Sequence, residues 1–178
     1  MKKIILIVFT FAVIITGAYF LYGFLAENYK PDTDIAYEER VPATDFRFTD
    51  SEGNEVNLSD FYGKTIILNF WASWCSPCKN EMPAFNALSD EYKESVNFIM
   101  LNATDGKRET VASAKDFISG ANYSFPVFFD TKGEGVKAYS LTGVPMTMVI
   151  DKDGNIAKTF RGEITSDALR AIIEKLVK

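Results

Sequence analysis

The sequence has no histidine and only two cysteines, Cys75 and Cys78. Without histidine there is no Ser–His or Cys–His nucleophile, no imidazole metal ligand and no imidazole pH switch. Two cysteines cannot build a disulfide-rich framework or a four-cysteine zinc site. Positive charge is also short. All 24 acidic residues follow Leu25 but only 17 of the 19 basic ones do, so the chain beyond that point carries 17 − 24 = −7. That sign argues against nucleic acid as a partner and against docking on anionic lipid. Acids, lysines, hydroxyls and one cysteine pair remain to do chemistry, and no cofactor or metal is expected.

Apolar mass, by contrast, is plentiful. Hydrophobic residues make up 47% of the 178, with 15 Phe, 8 Tyr and 2 Trp, enough for the core of one domain with a short appendage. Ile4 to Leu25 is an uncharged, almost wholly apolar run of 22 residues. As a helix it spans roughly 33 Å, enough for a hydrocarbon core near 30 Å. Lys2 and Lys3 precede it, while Glu27, Asp32, Asp34, Glu38 and Glu39 follow. The lysine bias puts the N-terminus in the cytoplasm and the rest outside. A cleaved signal peptide is the competing reading, with Thr16-Gly17-Ala18 as a weak site, but the apolar run continues past it. The expected organisation is a signal-anchor transmembrane helix over 1–26, a linker over 27–42 and a folded domain over 43–178. The protein is then a single-pass cell-membrane protein with its catalytic domain extracytoplasmic.

In the domain, Asp45–Thr49 and Glu55–Leu58 flank a polar turn and suggest a hairpin. Thr65–Ala72 and Val96–Asn102 are dense apolar runs, the pattern of buried strands. A helix is expected from near Cys75 to Lys93, kinked by Pro83, and another over Glu109–Ser119, ended by Gly120. Phe125–Asp130 suits a short strand and Gly135–Leu141 a short helix. Met146–Asp151 and Asn155–Arg161 read as strands joined at Lys152-Asp153-Gly154. A last helix, capped by Thr165 or Ser166, has Leu169, Ile172, Ile173 and Leu176 on its apolar face. The order β-β-β-α-β-α-β-α-β-β-α implies an α/β fold with a mixed sheet and helices on both faces.

Chemistry concentrates at Trp71-Ala72-Ser73-Trp74-Cys75-Ser76-Pro77-Cys78-Lys79. A C-x-x-C that follows a buried strand and opens a helix is a redox signature. At the helix N-terminus the first thiol meets unpaired N–H groups and the positive dipole end, which favour thiolate. Cys75 is therefore the expected nucleophile, and Cys78, one turn on, the resolving thiol. Two other readings are open. A permanent disulfide across so short a loop gains little chain entropy, and a metal site lacks ligands beyond two thiolates. Glu81 shares a helix face with Cys78. Buried, it would have a raised pKa and could exchange a proton with Cys78; exposed, it is an ordinary first-turn glutamate. Pro145, in Gly143-Val144-Pro145, opens a strand with either a cis or a trans bond.

The blocks DFRFTDSEGNEVNLSDFYGKTIILNFWASWCSPCKNEMPAF and GVPMTMVIDKDGNIAKTFRGEIT resemble the thioredoxin superfamily, and within it the membrane-anchored, exported TlpA/ResA type. The similarity runs from about Ala43 to the C-terminus. It implies a thioredoxin fold with an N-terminal hairpin and a central strand–helix insertion around Asn102–Asp130. It implies a cis Pro145 beside the cysteines, a Val144 backbone that pairs with an extended substrate, and a Trp74 that shields Cys75 and helps dock the partner. It also implies that Glu81 is a buried active-site acid. Relatives vary between the cysteines; here the pair is Ser76-Pro77, with no histidine or glutamate there to tune the thiols. Members of this branch reduce disulfides in apocytochrome c, before haem attachment, or in envelope and spore-envelope enzymes. A membrane thiol–disulfide carrier of the CcdA-like kind supplies their electrons.

The leading function is thus a membrane-tethered thiol–disulfide oxidoreductase acting as a disulfide reductase. The rivals are a disulfide-forming oxidase, a thiol peroxidase, and a binding module that keeps the fold without catalysis. Covalent haem attachment through C-x-x-C-H is excluded, because Lys79 stands where the histidine is needed.

Overall fold

The computed structural model describes residues 15–17, 19–21 and 41–177. Residues 15–17 and 19–21 are helical, and among the described residues no helix is long and apolar enough to cross a membrane. Most of the expected anchor and tether lies outside the described residues.

Strand β4 (Thr65–Trp71) is its centre, with all seven residues buried. Both faces of the strand are covered, so the run can be apolar throughout instead of alternating. Ile66, Leu68 and Phe70 enter one core with Phe46, Phe48, Leu58 and Phe128. Ile67 and Trp71 enter the other with Phe85, Leu88, Leu169 and Ile173. β4 pairs in parallel with β5 (Val96–Asn102), which pairs in parallel with β6 (Val127–Phe129). On its other edge β4 pairs antiparallel with β7 (Met146–Ile150), and β7 with β8 (Asn155–Arg161). With β1 (Val41–Pro42), β2 (Arg47–Thr49) and β3 (Glu55–Asn57), the sheet has eight strands in the order β1-β8-β7-β4-β5-β6-β2-β3.

Three helices supply the core on one face: α1 (Ser76–Tyr92), α2 (Val111–Ala121) and α4 (Ser166–Leu176). The short α3 (Glu134–Ala138) and a 3-10 turn at Leu58–Phe61 lie with the other core. This is the expected α/β mixed sheet, with its hairpin and its insertion. The hairpin tip is tied by Asp50, whose Oδ1 accepts from the N–H groups of Glu52 and Asn54 at 2.8 and 2.9 Å. The insertion joins hairpin to sheet, because β6 pairs with β2 through Thr49↔Phe129.

Several boundaries differ from the sequence reading, each for a local reason. β1 is an additional edge strand paired with β8, too short to show a period, and Pro42 is tolerated because the strand is at the edge. α1 begins and ends where expected, with Cys75 as its N-cap and Pro83 inside it. α2 starts at Val111, because Thr110 caps it by accepting the Ser113 N–H at 3.1 Å. Glu109 is left outside the helix. Gly120 lies within α2, which ends at Asn122 with φ at 56°, a left-handed conformation that asparagine accepts. Thr165 caps α4 as expected.

Gly135 sits against the Phe46 ring. A Cβ there would lie 2.5 Å from Phe46 Cε2, and Phe46 is itself held by Phe48 and Tyr139. In an open helix Gly→Ala stabilises by up to about 1 kcal/mol. Gly135→Ala is instead expected to destabilise by about 1–3 kcal/mol through overpacking. The readout is a lower denaturant midpoint at unchanged m-value; an unchanged or higher midpoint would contradict the packing described.

Candidate active site

β4 delivers the chain to one end of the sheet. Phe70 faces Leu101 of β5 and Met146 of β7, and after Trp71 the chain turns through Ala72-Ser73-Trp74 into Cys75. The same end of β7 carries Val144 and Pro145, joined by a cis peptide bond as the resemblance implied. The Pro145 carbonyl accepts from Gly162 N–H at 2.9 Å, and Val144 packs on the core cluster that contains both cysteines.

Cys75 and Cys78 form a disulfide with a Cα–Cα separation of 5.3 Å. Cys75 caps α1: its Sγ accepts the Cys78 N–H at 3.2 Å, and its carbonyl accepts from Lys79 N–H at 3.1 Å. In the reduced protein the Cys78 N–H and the positive end of the helix favour a thiolate at that sulfur. Pro77 falls at the start of the helix, where no N–H is needed. Cys75 keeps slight exposure at 3%, whereas Cys78 has none.

Glu81 is buried, which settles the choice between the two readings of its position. Its Oε1 accepts from Asn69 Nδ2 at 2.8 Å, and its Oε2 accepts from Ile164 N–H at 3.0 Å. Asn69 Nδ2 also donates to Thr147 Oγ1 at 3.0 Å. Burial pushes the Glu81 pKa up to about 7; the two hydrogen bonds oppose that rise, and the nearby Glu163 charge adds to it. The group is therefore close to half-ionised at neutral pH, three residues along α1 from the resolving cysteine.

The structure also places residues here that the sequence reading missed. Glu109 is buried although it lies in a polar loop. Its Oε1 accepts from Ser73 N–H at 3.0 Å and from Asn102 Nδ2 at 2.7 Å, and its Oε2 accepts from Ser73 Oγ at 2.8 Å. Asn69 sits mid-strand in an apolar run, and that misfit was the one visible signal for it. Glu109 gave none, because a glutamate at the expected start of a helix looks solvated until the loop folds back. Trp74 is 43% exposed, and the Arg108 guanidinium lies 3.5 Å from its ring centroid, so one indole face is already covered.

The chain is similar in sequence and in fold to known proteins. The Redoxin family model matches residues 38–174. The chain belongs to the Redoxin family. Among its Redoxin relatives, thiol-disulfide oxidoreductase ResA of Bacillus thuringiensis subsp. konkukian (strain 97-27) is 40% identical over 135 residues, covering 75% of this chain and 76% of that protein. The sporulation thiol-disulfide oxidoreductase A of Bacillus subtilis (strain 168) is 32% identical over 141 residues, covering 78% and 84%. The crystal structure of StoA from Bacillus subtilis matches with a TM-score of 0.63 at 32% identity, over 74% of this chain and 97% of that one. With its cysteine pair in place, this Redoxin chain is a thioredoxin-superfamily thiol–disulfide oxidoreductase of the ResA type.

Glu81 gives the fold a pH dependence. Its pKa stands at about 7 against an ordinary 4.5, so the folded chain holds this proton more tightly than the unfolded chain. The resulting stability is complete below about pH 4.5 and is lost as the pH rises to about 7. In the oxidised protein the cysteines do not titrate. Denaturant melts across this range should show Glu81→Gln flattening the slope by roughly 3 kcal/mol in total, at about 1.4 kcal/mol per pKa unit. Equal slopes in both proteins would contradict the assignment.

Proposed function

We propose that the protein is a membrane-tethered, extracytoplasmic reductant of disulfides in other exported proteins. The observation that carries this reading is a single helix start that holds a capping Cys75, a fully buried Cys78 and, one turn on, a buried Glu81. The reduced Cys75 thiolate attacks one sulfur of the substrate disulfide. That S–S bond breaks, a mixed disulfide forms, and the first substrate sulfur leaves as a thiolate that takes a proton. Cys78 then gives its proton to the Glu81 carboxylate and attacks Cys75 Sγ. The mixed disulfide breaks, the Cys75–Cys78 bond forms, and the second substrate sulfur leaves and is protonated. Two electrons and two protons pass to the substrate in all. The Val144 backbone, ahead of cis Pro145, is suited to pair with the extended substrate strand. Trp74 forms the outer wall of that docking surface.

The apolar run at the N-terminus supports an anchor over 1–26 and a tether over 27–42, in the cell membrane with the N-terminus cytoplasmic. A membrane dithiol carrier of the CcdA-like kind then returns Cys75 and Cys78 to the thiol state, and tethering raises its local concentration. The substrate classes that fit are apocytochrome c and the envelope or spore-envelope enzymes. An oxidase differs in potential: a value near about −270 mV or lower fits a reductase, one near about −120 mV an oxidase.

Cys78→Ser removes the resolving thiol, so Cys75 should retain its natural partner as a mixed disulfide identifiable by mass spectrometry. Recovery of apocytochromes selects haem-protein maturation, and recovery of envelope enzymes selects the other class. A trap that holds no exported protein, with Cys75→Ala retaining full function in cells, would overturn the reductase reading in favour of a binding module.

A further inference from the structure

Around the cysteines the charges are sorted. Of the carboxylates in this region, Glu81 and Glu109 are buried while Asp105 and Glu163 are exposed, and all four make hydrogen bonds within the protein. Asp105 Oδ1 accepts from the N–H groups of Lys107 and Glu109 at 2.7 and 2.9 Å. Glu163 Oε2 accepts from Asn80 Nδ2 at 3.2 Å.

The cations face outward. Arg108 lies flat on Trp74, and Lys79 Nζ is 5.3 Å from the Phe117 ring centroid. Arg161 is paired in register with Met146, next to cis Pro145, and its Nη1 donates to Met146 Sδ at 3.4 Å. All three side chains are exposed, and among the described residues none forms an ion pair with a carboxylate. This happens on a chain whose charge beyond Leu25 is −7, so the sorting runs against the average.

Arg108 is the best placed of the three. Stacking on an indole fixes the plane of the guanidinium and leaves its edge N–H donors free, in the fork that matches a carboxylate. The loop that carries Arg108 is fixed to the cysteine loop, because the adjacent Glu109 holds both the N–H and the hydroxyl of Ser73. Fork, indole and Cys75 are thus held as one surface and not left to a mobile loop.

We infer that this face selects protein disulfides flanked by Asp or Glu, with Arg108, held on Trp74, reading the acidic side chain. The inference rests on the reductase reading above and specifies its substrate. The effect is on encounter and register, where complementary charge acts most strongly. It works against intrinsic chemistry: an acidic neighbour raises the pKa of the leaving thiol and slows uncatalysed exchange.

The test uses three cystine peptides that differ only in the residues flanking the disulfide: Asp, Asn or Lys. Second-order rate constants for oxidation of the reduced full-length chain are measured at low and high salt. Each is divided by the rate of the same peptide with a small neutral dithiol. The expected order is Asp above Asn above Lys, with about tenfold between the ends, shrinking in high salt. Arg108→Ala should bring the Asp-to-Lys ratio down to about two- to threefold, and Arg108→Lys should fall between. Equal normalised rates for the three peptides in the unmodified protein would overturn the inference and leave the reductase reading intact. So would a ratio unchanged by Arg108→Ala. Failure to reduce any of the three would overturn the reductase reading itself.

Discussion

Because β4 is buried on both faces, its polar side chains are cut off from water; Asn69 Oδ1 and Trp71 Nε1 have no partner among the described residues, whereas the Asn69 amide nitrogen has two. Asn69 stands in the middle of that strand, and its amide donates to Glu81 on α1 and to Thr147 on β7. Strand, helix and neighbouring strand are therefore tied at one point. Glu81 in turn fixes the turn before α4 through the Ile164 N–H. A carboxyl group that must stay dry is held at the junction of four elements, and the cysteine helix takes its seat from it. The low-dielectric surroundings that keep the helix in place are the same that raise the acid's pKa.

On the solvent side a different carboxylate does the fastening. Glu109 has no thiol to serve; it holds Ser73, two residues before the nucleophile, and Asn102 at the end of β5. Cys75 thus lies on a segment fastened at two points, at Ser73 by Glu109 and along α1 by Glu81. Its own contribution is that of a helix cap, through the Cys78 N–H. The geometry leaves one sulfur approachable and the other covered, which orders the two exchange steps.

Much of this was legible in the sequence. The uninterrupted apolar run of β4, the C-x-x-C after it, and Glu81 one turn beyond Cys78 all announce themselves by spacing. The strand–helix alternation gave the α/β fold and the mixed sheet. What was not legible depends on contacts between distant segments. Glu109 is a core residue because a loop folds back onto Ser73, and no local pattern records that. β1 is too short to have a period and exists only because β8 offers an edge. Arg108 carries no signal in the sequence, and only the fold puts it on Trp74. Glu81 could be assigned to a face but not to a depth, since burial is decided by what α4 and β7 bring to it.

The insertion between β5 and α3 has a consequence for descent and for engineering. It pairs through β6 with β2 of the hairpin, and through Glu109 with the cysteine loop. Cutting it out would open a strand edge on one side and leave the backbone of Ser73 unpaired on the other. Hairpin, insertion and cysteine loop must therefore be inherited, or transplanted, as one module. A chimera that swaps the C-x-x-C segment alone, without its matching insertion, carries the nucleophile without the frame that aims it.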